Sequence, residues 1–156
     1  MKQITYFTSQ PGDPSPLTKQ FLRVVRFNEI DPMGIMWHGH YPSYLEDARM
    51  ALGNALGLGY QDFYDHGILI PVRKMHIDYL APLKFAQPYQ IEARLFYTEA
   101  ARLNYDFTIY DENHRIMTRA YSIQLMVDKN ENLLFEWPEF TQNFLKKWKS
   151  GKINLQ

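Results

Sequence analysis

Residues 41–58 constrain this chain more than any other stretch. Tyr44, Leu45, Ala48, Leu52, Ala55 and Leu56 recur at the i, i+3, i+4 spacing of a helix. Pro42 suits a first helical turn, and Gly57 and Gly59 supply the stop. The polar residues are mainly Glu46, Asp47, Arg49 and Asn54, so the helix is apolar around most of its circumference. Other structure has to wrap it. Beyond residue 67 the pattern becomes strand-like. Residues 89–98 place Ile91, Ala93, Leu95 and Tyr97 on one side, and residues 102–111 set Leu103, Tyr105, Phe107 and Ile109 against Asn104, Asp106, Thr108 and Tyr110. Residues 68–79 and 115–128 read as further strands, and Pro71 marks the first of these as an edge or as irregular at its start. A fifth strand, 19–28, precedes the helix.

The segment 29–39, broken by Pro32, Gly34 and Gly39, reads as irregular, and 60–67 as a turn. Asp111–His114 is a hairpin-type turn, and short turns between successive strands imply an antiparallel sheet with one helix on its face. The fold class is therefore α+β: a five-stranded curved sheet around a central helix. Phe140, Phe144, Leu145 and Trp148 add a short amphipathic helix near the C-terminus. Residues 1–18, rich in proline from residue 9 onward, form an irregular lead-in, and 19–150 form a single domain.

Composition narrows the function classes. Lys plus Arg is 17 and Asp plus Glu is 17, which does not suit a basic nucleic-acid binder or a polybasic membrane adaptor. Zero net charge fits a chain that hides surface in an oligomer. Cysteine is absent, which excludes a disulfide scaffold, a thiol nucleophile and a thiolate metal site. Aromatic residues reach 15%, enough for an interface or a ligand slot. No apolar run approaches the ~20 residues of a membrane span, and the first residues carry no secretory signal, so the expectation is a soluble cytoplasmic protein. Gly-rich dinucleotide, P-loop and GxSxG motifs are missing. His38, His40, Asp31 and Glu29 resemble a metal-ligand run, but no further His-rich element supports it, and no metal is expected.

The segment 26–49, RFNEIDPMGIMWHGHYPSYLEDAR, resembles the signature of the hotdog-fold acyl-CoA thioesterases of the 4-hydroxybenzoyl-CoA thioesterase type. The resemblance rests on Asp31, Gly34, the apolar triplet Ile35-Met36-Trp37, His38, Tyr41, Glu46 and Ala48-Arg49. Residues 72–82 resemble the next strand of that family, ending in Tyr79-Leu80-Ala81-Pro82. Residues 83–89, LKFAQPY, depart from the acidic residues usual there. The resemblance implies the hotdog fold, thioester hydrolysis, no cofactor beyond the coenzyme A of the substrate, and a homodimer or homotetramer with each site at a subunit junction.

Thioester hydrolysis needs an attack on the carbonyl carbon, a stabilised oxyanion and a departing thiolate. Because thiolate leaves readily, one carboxylate and oriented N–H donors suffice. Asp31 is the candidate carboxylate, as nucleophile or as general base for water; otherwise an Asp before Pro32 merely opens a turn. By resemblance, the backbone N–H of His38 polarises the carbonyl, and Gly34 lets the loop approach the acyl group. The His38 side chain either orients water or caps the junction. Tyr41 lines the slot or packs in the core, and Glu46 bonds near the site or pairs with Arg49. Arg73 and Lys74, then Lys84 and Arg102, are candidates for the coenzyme A phosphates. Phe63, Tyr64, Tyr79 and Phe85 are candidates for the acyl slot. Two other readings use the same fold: a thioesterase for acyl groups on a carrier protein, and a non-catalytic acyl-ligand binder.

Overall fold

Helix α1, Tyr41–Leu56, is the axis of the molecule in a computed structural model that describes residues 6–155. Gly57 ends it at φ +69, a left-handed conformation that costs glycine little. Around α1 curls an antiparallel sheet in the order β1-β4-β5-β6-β3. Its strands are β1 (Leu17–Val24), β3 (Val72–Tyr79), β4 (Pro88–Phe96), β5 (Arg102–Tyr110) and β6 (Ile116–Leu125). This is the expected α+β architecture. The inner row of the sheet, with Ile91, Ala93, Leu95, Leu103, Tyr105, Phe107, Ile109 and Ala120, is buried with Tyr44, Leu45, Ala48 and Leu52 of the helix in one core.

Several expectations change in detail. Residues 19–28 do not form one strand: β1 begins at Leu17 and ends at Val24, because Arg26 opens a 3-10 turn, Phe27–Glu29. Residues 60–67 are not a plain turn but contain helix α2 (Tyr60–Asp65), started by the Asp62 carboxylate, which accepts the Gly59 N–H at 2.8 Å. Its Phe63 is fully buried and meets Phe140 edge-on. The strand expected over 68–79 breaks at Pro71, which has no N–H to give a ladder. Its first part, β2 (Ile68–Leu69), pairs with β7 (Val127–Asp128), itself split from β6. The sheet covers only one side of α1, so Ser43, Glu46, Met50 and Asn54 form an exposed stripe.

The opposite face of the sheet is more buried than alternation suggests. Asn104, Asp106 and Thr108 of β5 lie below 5% exposure. Arg94 grips Asp106 with two hydrogen bonds, 2.7 and 2.8 Å, although burial still raises the carboxyl above its ordinary range. Tyr6 and Phe7 lie over this face: the Tyr6 hydroxyl donates to Asp78, and Phe7 meets Phe96 and Tyr121. Of the expected lead-in 1–18, residues 1–5 lie outside the described residues. Helix α3 (Gln142–Lys149) buries Leu145 and Trp148, and the indole N–H of Trp148 donates to the Ser15 carbonyl at 2.9 Å. Among the described residues, no helix is long and apolar enough to cross a membrane.

Leu52 is fully enclosed between helix and sheet. Leu52→Ala is expected to remove about 2–5 kcal/mol of unfolding free energy, read from the urea midpoint at unchanged m-value.

Candidate active site

The segment 29–39 is more ordered than the irregular loop the sequence suggests. Glu29 accepts the Trp37 N–H on its carbonyl at 2.9 Å, Ile30 bridges Met36, and Asp31 donates its N–H to Ile35 at 2.8 Å. Residues 29–37 thus form a small hairpin. Its tip is Asp31-Pro32-Met33-Gly34, closed by a Gly34 N–H donated to the Asp31 carbonyl at 2.9 Å. Gly34 sits at φ +77, with open space where a Cβ would stand. The signal was present in the sequence as Pro and Gly spaced for a turn between Ile30 and Ile35. The hairpin leans on residues 83–84, where Met36 donates to the Leu83 carbonyl at 2.8 Å and Ile35 bridges Lys84.

The Asp31 side chain is half-buried at this tip. Its Oδ1 accepts the Met33 N–H at 2.8 Å, so it does shape the turn. Oδ2 accepts no hydrogen bond among the described residues. The two readings of Asp31 are therefore compatible, one oxygen setting the turn and the other open.

After the hairpin, His38–His40 forms a 3-10 turn that runs into α1. The N–H groups of His38 and Gly39 open this turn and have no acceptor within it. The Trp37 ring lies across Gly39, where a Cβ would meet it at 2.2 Å. Tyr79 donates its hydroxyl to the His38 carbonyl at 3.0 Å and packs edge-on against Tyr41, centroids 4.7 Å apart. Tyr41 itself is 2% exposed, in a packing position, and burial raises its hydroxyl pKa despite a hydrogen bond with the Leu83 backbone. Asp31, Gly34, His38 and Tyr41 thus belong to one short stretch of connected structure.

Most of the other candidates stand apart. Glu46 projects from the exposed stripe of α1, with Oε2 3.6 Å from Arg49 Nη2. Arg73 and Lys74 are exposed on β3, about 20 Å along the strand from Tyr79 in the case of Arg73. Lys84 lies beside the hairpin, and Arg102 begins β5 at the far end of the sheet. Phe85 forms an exposed edge-to-face pair with Phe27, whereas Phe63 is in the core. Among the described residues, no three His, Asp or Glu side chains assemble as a metal site.

The base of the hairpin is the part that sequence reasoning missed. Glu29 is 5% exposed, with Oε1 on Arg23 at 2.9 Å and Oε2 taking the Tyr44 hydroxyl at 2.6 Å and the Arg26 N–H at 2.9 Å. Burial alone would raise the Glu29 carboxyl, but the Arg26 N–H, the Tyr44 hydroxyl and Arg23 outweigh it and hold it below its ordinary 4.5. Its contribution to stability is therefore full above about pH 4.5 and lost as pH falls toward the depressed folded value. Chemical denaturation between pH 7 and pH 3 is expected to give Glu29→Gln a flatter stability profile than the parent. Gly34→Ala, forced into the left-handed region, is expected to cost about 1–2 kcal/mol in the same assay.

Residues 25–145 match the thioesterase-like superfamily. The Bacillus subtilis protein YneP, provisionally named an acyl-CoA thioesterase, is 31% identical over 105 residues, 67% of this chain and 76% of YneP. The 1,4-dihydroxy-2-naphthoyl-CoA hydrolase of Synechococcus elongatus is 27% identical over 128 residues, 81% of this chain and 93% of that protein. A solved DHNA-CoA thioesterase from Staphylococcus aureus superposes with a TM-score of 0.74 at 21% identity, over 88% of this chain and 97% of that one, and shares its fold. The chain belongs to the thioesterase-like superfamily and has the hotdog fold.

Proposed function

We propose that this chain hydrolyses acyl-CoA thioesters with Asp31 as the catalytic carboxylate. The observation that carries this reading is the Asp31 carboxylate, whose Oδ2 accepts no hydrogen bond among the described residues, fixed on a hairpin that leads directly into the N-terminal turn of α1. The substrate class is that named for the Bacillus and Synechococcus relatives. The thioester carbonyl oxygen would accept from the His38 and Gly39 N–H groups, where the helix end favours negative charge. Two routes use the same groups. In one, Oδ2 bonds to the carbonyl carbon, the C–S bond breaks, and coenzyme A leaves as thiolate; water then cleaves the mixed anhydride and restores the carboxylate. In the other, Asp31 takes a proton from water as the resulting hydroxide attacks the carbonyl carbon directly. Both release free acid and coenzyme A, and neither requires a metal.

Assembly completes this reading. Among the described residues β3 is an edge strand with one unpaired rail, and Val72, Tyr79 and Leu80 are exposed around it. If two copies join antiparallel along β3 with His76, near its centre, facing its own copy, the partner's Arg73 falls opposite Tyr79. That pairing would bring the cations at the start of one β3 toward the other copy's hairpin, within reach of the substrate's phosphates.

The test is thiol release from a panel of acyl-CoA esters, short to long aliphatic and hydroxyaromatic, with the same acyl groups on a carrier protein as a separate arm. At least one coenzyme A ester is expected to turn over, and Asp31→Asn to lower its kcat by about 100- to 10,000-fold. Equal rates for the two proteins would remove Asp31 from the chemistry. Turnover only of carrier-bound esters would reassign the substrate.

A further inference from the structure

Both faces of the catalytic hairpin depend on one buried acid. Glu29 receives three donors on its carboxylate, from β1, from the turn preceding it and from α1. Arg23, which bonds Oε1, also reaches Asp47 at 2.6 Å and lies 3.9 Å over the Tyr44 ring. Ser43, beside Asp47 on the helix, returns its hydroxyl to the His40 carbonyl at 2.9 Å. The backbone of the same Glu29 holds the hairpin shut through the Trp37 N–H. One residue of extended chain, Ile30 at φ −90 and ψ 150, separates Glu29 from Asp31 on one arm. On the other arm, Trp37 immediately precedes His38. The proposed nucleophile or base and the proposed carbonyl donors are thus hung from a single point.

A cluster of this kind is a poor device for stability alone. Burying a carboxylate and a guanidinium carries a desolvation cost that their attraction roughly offsets, and apolar side chains of similar size serve a core equally well. What the charged cluster adds is direction: each Glu29 oxygen has fixed partners on separate elements. A short two-stranded hairpin has little rigidity of its own.

We propose that Glu29 is the positioning residue of this thioesterase site: its buried carboxylate, gripped by Arg23, Tyr44 and the Arg26 N–H, sets the spacing between the Asp31 carboxylate and the His38 and Gly39 N–H groups. The proposal rests on the Asp31 reading. Glu29 touches no reacting atom and acts through the two arms of the hairpin. Its removal affects the transition state, where geometry counts most, and leaves ground-state binding of the acyl-CoA largely intact.

A double-mutant cycle between Glu29→Gln and Asp31→Asn tests it, together with hydrogen–deuterium exchange over residues 30–39. Glu29→Gln alone is expected to lower kcat by about 100-fold with KM nearly unchanged, and to raise exchange over 30–39 while the buried face of α1 keeps its protection. In the Asp31→Asn background the same substitution is expected to add no further loss. Tyr44→Phe keeps the ring beneath Arg23 and removes one donor; it is expected to reproduce a smaller part of the kcat loss, and it carries the cycle if Glu29→Gln fails to fold. Equal losses in both backgrounds, a change confined to KM, or unaltered exchange over 30–39 would overturn the role of Glu29. Failure of the Asp31 reading is separate, since it appears as full activity in Asp31→Asn alone.

Discussion

Leu45, Ala48 and Leu52 of α1 share one core with the inner row Ile91, Ala93, Leu95, Tyr105 and Phe107 of β4 and β5, and the rest of the chain is arranged about it. A helix this apolar has no stable place in water, so the sheet must bend over it. Once it bends, β1 and β3 become its two edges and the N-terminal end of α1 opens between them. The hairpin, Tyr79 and the turn at His38 all gather at that end. The position of the candidate site is a consequence of how the helix is covered.

Much of this was legible in the residues. The apolar faces of β4 and β5 and the spacing along α1 are strong periodic signals, because burial on one side leaves its mark at every second or third position. Boundaries were less legible wherever a tertiary partner decided them. Pro71 announced an irregularity but not that β2 would leave the main sheet for β7. Helix α2 was hidden because its start depends on Asp62 reaching back to Gly59, a local bond that composition does not reveal. The burial of Asp106 depends on Arg94 across the strand pair, and each residue alone looks like an exposed charge.

The site divided in the same way. Asp31, Gly34 and His38 lie within eight residues of one another, and a compact motif is readable as a motif. Glu29 was read only as a weak metal-ligand candidate, because its partners Arg23 and Tyr44 lie 6 and 15 residues away on different elements. Arg73 and Lys74 are readable as cations, but a strand length separates them from the hairpin of their own chain. In the proposed pairing along β3 they would face the hairpin of a second copy rather than their own.

The aromatic pair Tyr6 and Phe7 bears on how far such a molecule can grow. Sheets stack when both present a clean face, with side chains interdigitating across the gap. Here the outer face is already occupied by the chain's own N-terminal segment, with Tyr6 tied to Asp78 on the β3 edge and Phe7 set against Phe96 and Tyr121. An edge can lengthen a sheet sideways, whereas a covered face resists layering. Layering a second sheet on this face would have to displace Tyr6 and Phe7, whose contacts come from residues that precede the first strand.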